Sequence, residues 1–266
     1  MTTHRAARLT LPLLAGALVL AGCADSSDAP PADVDAAALD LVTDGVLTMG
    51  TNPPFEPFEY TDSAGNVVGM DVDIVAEVAQ DLGLDLAIRV TPFETIESGT
   101  DLEVGNCDVV ASGITITDER AAKFDFSAPY FDSDLGVLVQ TGSTVTDVAA
   151  LAGVKIGVQQ ATTGDRWVAD QGLTGVQFED SGLPVEALRT DQVQAVVNDI
   201  AVLGPFTGDG LEVVATIPTG EQFGLGVKQG NTALLDAINA TLDRIMTDGT
   251  FAAIYTEHIG TAPVAD

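Results

Sequence analysis

Hydrophobic and polar positions along this chain switch repeatedly between two periods. Short apolar runs over Val46–Gly50, Leu86–Val90, Asp108–Ile114 and Leu135–Gln140 predict strands. Between the first two, Val72, Val75, Ala76, Ala79 and Leu82 share one helical face over 71–82, and Gly83 supplies the stop. Thr117 stands where it can cap a helix whose first turn holds Asp118 and Glu119, the charge sign that the helix dipole favours. A second unit repeats the alternation. Val154–Val158 predicts a strand, 161–164 a turn, and a helix follows from about Asp165. Further strands are predicted over Val176–Glu179, Gln194–Asp199 and Glu212–Thr216, and Phe223–Lys228 leads back out. The strongest helical pattern is Thr232–Thr247, with Leu234, Leu235, Ile238, Leu242, Ile245 and Met246 on one side and Gly249 at its end. A short helix carrying Phe251, Ile254 and Tyr255 closes the pattern.

Such alternation predicts an α/β fold of parallel-rich sheets flanked by helices. Ligands in these folds bind beyond the carboxyl ends of strands, where loops lead into helices. Three strand ends therefore become candidates: Gly50–Phe55, Ser112–Arg120 and Gln159–Gly164.

The N-terminus follows a different rule. Arg5 and Arg8 precede a mostly apolar run from Leu9 to Ala21, too short to cross about 30 Å of hydrocarbon. Small residues and one cysteine follow, the layout of a secretory signal over residues 1–22. Leu20-Ala21-Gly22-Cys23 resembles a bacterial lipobox. That resemblance implies cleavage before Cys23, a diacylglyceryl thioether on its sulfur and acylation, such as palmitate, of the new N-terminus. The protein would then sit outside the cytoplasmic membrane on a lipid anchor, which more than one acyl chain makes stable. Residues 24–40, rich in Ala, Asp, Ser and Pro, read as a flexible tether, with folded sequence expected from about Asp44-Gly45. After Cys23 no apolar run is long enough to span a membrane.

Charge narrows the partners. The chain carries 40 acidic and 10 basic residues, a formal charge of −30. Loss of Arg5 and Arg8 with the signal would leave 40 against 8, or −32. Such a surface repels nucleic-acid phosphates and excludes nucleic acid as a partner. With so few cations, an Arg at a strand end becomes informative. Two cysteines, Cys23 and Cys107, form no disulfide framework or metal pair, and Cys107 reads as a structural thiol. Two histidines, His4 and His258, exclude a His-based metal centre or a Ser-His-Asp triad, and nothing implies a cofactor.

Chemistry concentrates in Ser112-Gly113-Ile114-Thr115-Ile116-Thr117-Asp118-Glu119-Arg120. A strand ends there, and one helical turn later a guanidinium offers a fork that matches a carboxylate. This stretch, followed by Phe124-Asp125-Phe126-Ser127-Ala128-Pro129-Tyr130, resembles the bacterial extracellular solute-binding proteins of family 3, the polar amino-acid receptors of ABC importers. Other segments resemble that family in order: Gly50 to Tyr60, Gly65 to Asp73, Gln159 to Gly164, Ala195 to Asp199, Glu221 to Gly224, and Asp248 to Tyr255. The likeness covers about residues 44–260.

The resemblance implies a two-lobed, type II periplasmic-binding-protein-like fold with mixed sheets and two hinge strands. Lobe 1 would comprise 44–136 plus 225–266, lobe 2 137–224, and residues 23–43 the lipidated cysteine and tether. Carried over, Arg120 would hold a ligand α-carboxylate, with Thr162, Thr163 and backbone N–H groups at the next helix start. Asp199 would take the α-ammonium, helped by Thr115 and a carbonyl near Ser112 or Gly113. Phe55 and Phe93 would wall the side chain. Relatives that take cationic side chains often carry an acid where Asn52 stands; Asn52, Gln159 and Asn198 are uncharged here, which suggests a neutral polar side chain. Glu56 and Glu59 flank the loop and could favour a cation, but are read as solvated. The expected protein is a monomeric, non-enzymatic binding lipoprotein docking on an ABC permease. The alternatives are a dehydratase-like enzyme on the same fold and a sensing lipoprotein without a transporter.

Overall fold

The computed structural model describes residues 36–260. Along the chain, β1 (Val46–Thr51) is followed by a small hairpin, β2 (Tyr60–Thr61) and β3 (Val67–Val68), helix α1 (Met70–Leu82) and β4 (Asp85–Val90). Next come α2 (Phe93–Glu97), α3 (Thr100–Glu103), β5 (Val109–Val110), α4 (Asp118–Ala121), β6 (Asp125–Phe126) and the long β7 (Phe131–Gln140). The second half contains β8 (Lys155–Gln159), α5 (Thr163–Asp170), β9 (Thr174–Phe178), α6 (Gly182–Arg189), β10 (Ala195–Asp199), α7 (Ile200–Leu203) and the long β11 (Leu211–Phe223). The chain then returns through β12 (Gly226–Val227), α8 (Thr232–Asp248) and α9 (Thr250–Ile259).

These strands form two five-stranded sheets, β4-β1-β5-β12-β6 and β11-β7-β10-β8-β9. Both are mixed. In the first, β1 runs parallel to β4 and β5, while β12 runs antiparallel to β5 and β6. In the second, β8 is parallel to β9 and β10, whereas β7 is antiparallel to β10 and β11. The parallel pairs come from the βα alternation. The antiparallel ones arise where the chain crosses between sheets, from β6 into β7 and from β11 back to β12. A register shift in β11 between Ile217 and Glu221 is held by Asp134, whose Oδ1 accepts from the Thr219 and Gly220 N–H groups.

Each sheet buries its own core. On the first, the apolar face of α1 (Ile74, Val75, Val78) packs with Leu47, Met49 and the Ile238, Leu242 and Ile245 stripe of α8. On the second, Leu135, Val137, Ile156, Val158 and Val197 do the same work. Each such side chain contributes about 1.5–3 kcal/mol by leaving water. Helix α1 ends at Gly83, whose φ of 65° is the left-handed value that glycine adopts without strain.

Several expectations are corrected. The tether gives way earlier than residue 44: Ala36–Leu39 forms a 3-10 turn, Leu39 is buried in the first core, and its carbonyl accepts from the Asn231 amide. The strand expected over Asp108–Ile114 pairs only at Val109–Val110, because the chain then bends into the loop that carries the site. Glu212–Thr216 is part of a strand more than twice that length. Helix α6, with Val185 and Leu188 buried, has too brief an apolar pattern to stand out in the sequence. Cys107 is buried against Ile96, Leu102 and Phe124, and burial pushes its thiol up to about 12, as befits an inert structural residue. Cys23 and the signal over residues 1–22 lie outside the described residues. Among the described residues, no helix is long and apolar enough to cross a membrane, and no cluster of His, Cys, Asp and Glu could hold a metal ion.

Candidate functional site

The three candidate strand ends converge: Asn52 hydrogen-bonds Ser112 and Gln159, and Arg120 hydrogen-bonds the Ala161 carbonyl. Thr117 caps α4 by accepting the Arg120 N–H at 3.2 Å, which sets Arg120 in the first helical turn after the loop. Its side chain turns inward and is 1% exposed, a rare position for a guanidinium. One Nη donates to the Thr115 carbonyl at 2.9 Å and the other to the Ala161 carbonyl at 3.1 Å. Thr115 is bridged to Phe223 at the crossing, and Ala161 follows β8 in the second half. One side chain thus joins both halves. Its Nε has no partner among the described residues. Two of five N–H donors are spent, so the fork retains capacity for an anion. The Phe93 ring lies 5.4 Å from the guanidinium carbon, a cation–π contact that also walls the site. Burial, with Arg166 nearby, lowers the guanidinium pKa to about 10, leaving it charged at neutral pH.

Asp199 ends β10 and is buried. It accepts the Ser133 hydroxyl of β7 at 2.7 Å, while Asn198 Oδ1 accepts the Asp199 N–H at 3.0 Å. Burial raises its carboxyl to about 7, opposed by Ser133 and Arg120 and reinforced by Glu221. Glu221 sits on β11 directly across from Ser133 and accepts the Thr163 hydroxyl at 2.9 Å. Its carboxyl is also raised, chiefly by burial. The Thr163 hydroxyl is thus engaged by a carboxylate of the crossing strand. Thr162 caps α5, accepting from the Asp165 N–H and donating to the Gln159 carbonyl. The helix N-terminus so built favours anions through its first-turn N–H groups and dipole.

Ser112 and Gly113 are held from behind by two buried acids. The Ser112 hydroxyl donates to Glu59 and accepts the Asn52 N–H. The Gly113 N–H donates to Asp71, which also accepts the Tyr130 hydroxyl. Glu59 is fully buried, and desolvation with Asp71 beside it holds its carboxyl well above the usual range. Asp71 is raised to about 6, also by burial. The expectation that Glu59 is solvated is therefore corrected: the loop folds back so that Phe55 bridges Glu59 and carries its side chain under Ser112. Glu56 does face solvent. Gly113 has φ 49°, and a Cβ there would lie 2.4 Å from Phe55 Cε1. Only glycine permits this close approach of ring and backbone.

An amide pair links the halves a second time. Gln159 Nε2 donates to Asn52 Oδ1 at 3.0 Å, and Asn52 Nδ2 donates to the Thr91 carbonyl at 2.9 Å. At the rim, Arg166 of α5 meets Glu97 at 3.1 Å and Glu119 at 2.7 Å, and Lys123 meets the same two acids. Ser133, Ala161, Thr91 and Glu221 were not singled out by sequence reasoning. Three act through a backbone carbonyl or by cross-strand position, and neither leaves a residue-type signal.

A family model described as bacterial extracellular solute-binding proteins, family 3, matches residues 47–261. A probable histidine-binding protein of Neisseria gonorrhoeae is 31% identical over 257 residues, 92% of either chain. Among solved structures, a mutant of ArgBP from T. maritima has a TM-score of 0.78 at 32% identity, covering 82% of this chain and 96% of that one. An ancestral arginine-binding protein bound to glutamine has a TM-score of 0.77 at 33% identity, covering 82% and 100%.

Proposed function

The chain belongs to the bacterial extracellular solute-binding proteins of family 3, and from that membership and the cleft we propose that it is the amino-acid receptor of an ABC importer. The observation that carries this reading is Arg120: a buried guanidinium with unspent N–H donors, hydrogen-bonded to carbonyls from both halves of the fold. In this reading Arg120 takes the ligand α-carboxylate, together with N–H groups at the start of α5 near Thr162 and Thr163. Asp199 takes the α-ammonium, with Thr115 and main chain near Ser112 and Gly113. Phe55 and Phe93 flank the side chain, and Asn52 and Gln159 meet its far end.

The proposed lobes are 44–136 plus 225–266 and 137–224, with β7 and β11 as hinge strands. A zwitterion touching both lobes is satisfied only when the cleft is shut, so binding favours the closed form. Closure excludes water and strengthens both ion contacts. The receptor acts as a binding protein without catalysis, as a monomer outside the cytoplasmic membrane, anchored through lipidated Cys23. A thermal-shift screen against the twenty amino acids tests this. A ligand at a hundred times its dissociation constant adds about 2.7 kcal/mol of apparent stability. Failure of every amino acid to shift the transition would refute the receptor reading. Turnover of a cyclohexadiene acid in the same plate would point to the dehydratase reading.

A further inference from the structure

Resting on the receptor reading, we propose that the chain Thr91–Asn52–Gln159 fixes a hydrogen-bond acceptor at the ligand's side-chain end, so that the receptor selects amino acids whose side chains carry an N–H donor. Amide, imidazole, guanidinium and ammonium groups share this chemistry; side-chain carboxylates and hydrocarbons lack it.

The direction of the chain follows from its anchor. A backbone carbonyl can only accept, so the Thr91 carbonyl requires Asn52 to present Nδ2, as it does at 2.9 Å. Asn52 Oδ1 is thereby turned toward the other half, where only a donor satisfies it. Gln159 must answer with Nε2, as it does at 3.0 Å. What remains of Gln159 is Oε1, and this acceptor is buried with no partner among the described residues. Gln159 itself is 2% exposed, so water does not satisfy it freely. A buried orphan acceptor is costly, and a ligand donor relieves that cost. Reversing both amides would set Asn52 Oδ1 against the Thr91 carbonyl, two acceptors face to face.

The inner charges point the same way. Arg120 is offset by two carboxylates, Asp199 and Glu221, the latter placed by Ser133 and Thr163. Lys123 and Arg166 are engaged at the rim with Glu97 and Glu119. Once Arg120 holds the α-carboxylate, no other buried cation is left among the described residues for a second one.

Calorimetry on the purified protein with matched ligands tests the inference: glutamine against glutamate, and lysine against norleucine. The donor-bearing member of each pair is expected to bind at least about tenfold tighter, as sites built around a buried polar group reject analogues that cannot pair with it. In Asn52→Leu the Gln159 amide can rotate, and the glutamine-to-glutamate ratio should narrow at least fivefold. In Gln159→Met the preference for glutamine over norleucine should fall at least fivefold. Glutamate binding as tightly as glutamine, or norleucine as tightly as lysine, overturns the inference. The wild-type pairs decide this even if a variant does not fold. Binding of amino acids without donor preference defeats only this inference; binding of none defeats the receptor reading and this inference with it.

Discussion

Two arginines cross between the halves of this molecule, and they do so in opposite ways. Arg120 is buried, hydrogen-bonds two neutral carbonyls and keeps Nε unpaired. Arg166 is about one-third exposed and fully engaged with Glu97 and Glu119, which Lys123 also shares. Partly exposed pairs of the second kind are screened by water and salt and contribute modestly. A buried guanidinium whose nearby carboxylates do not hydrogen-bond it directly is costly to hold and gains most when an anion arrives. On the proposed receptor reading, the contrast separates a group that takes the ligand from one that only joins the two halves at the rim.

The largest expected effect comes from removing the buried member. Arg120→Ala should cost about 2–5 kcal/mol of binding, more than a tenfold loss of affinity by calorimetry. Unchanged affinity would end the assignment of Arg120 to the carboxylate. Of intermediate size is a pH effect at Asp199. Its carboxyl is raised to about 7 by burial, so in the free protein it is largely protonated at pH 5. An ammonium needs the ionised form, so affinity should rise from pH 5 to about 7 and then level, with Asp199→Asn flattening the profile.

Linkage fixes the opposite sign for the ligand-free fold. An aspartate with an ordinary pKa of 3.8 when unfolded and about 7 when folded binds more protons in the native state between those values. Its contribution to stability therefore falls as pH rises from about 4 to about 7. Asp71, raised to about 6, and Glu59 act in the same direction. Calorimetric unfolding of wild type and Asp199→Asn across this window isolates the Asp199 share; parallel curves would show that it has none. The smallest effect belongs to the rim. Arg166→Ala should weaken binding by less than about fivefold, with the loss shrinking at high salt. A loss as large as that of Arg120→Ala would erase the distinction between the two crossings.

Legibility in the sequence varied with the kind of interaction. Helices α1 and α8 were readable because each has one apolar stripe of several turns, and a stripe can be buried in only one way. Thr117 and Arg120 were readable because a cap and the residue three places on are fixed by local geometry. Asp199 was singled out by the family resemblance, and the structure puts it, buried, at the end of β10. Glu59 was misjudged because an acid among 40 carries no mark of burial; its environment is made by Ser112 and Asp71, distant in the chain. Glu221 was passed over because its position opposite Ser133 depends on the register of two strands far apart in sequence.

By itself the amino-acid order determined the α/β alternation, which rests on periodicity, and the family, which rests on the motif resemblance that also marked Arg120 and Asp199. Only the tertiary structure decided which groups are desolvated and which hydrogen-bond partners remain unspent. Those properties depend on what the second half of the chain brings against the first: the Ala161 carbonyl on Arg120, Gln159 on Asn52, Glu221 beside Asp199. Hydrogen-bond saturation and dielectric environment are set by contacts across space, and neither repeats along the chain in a pattern that residue spacing can reveal.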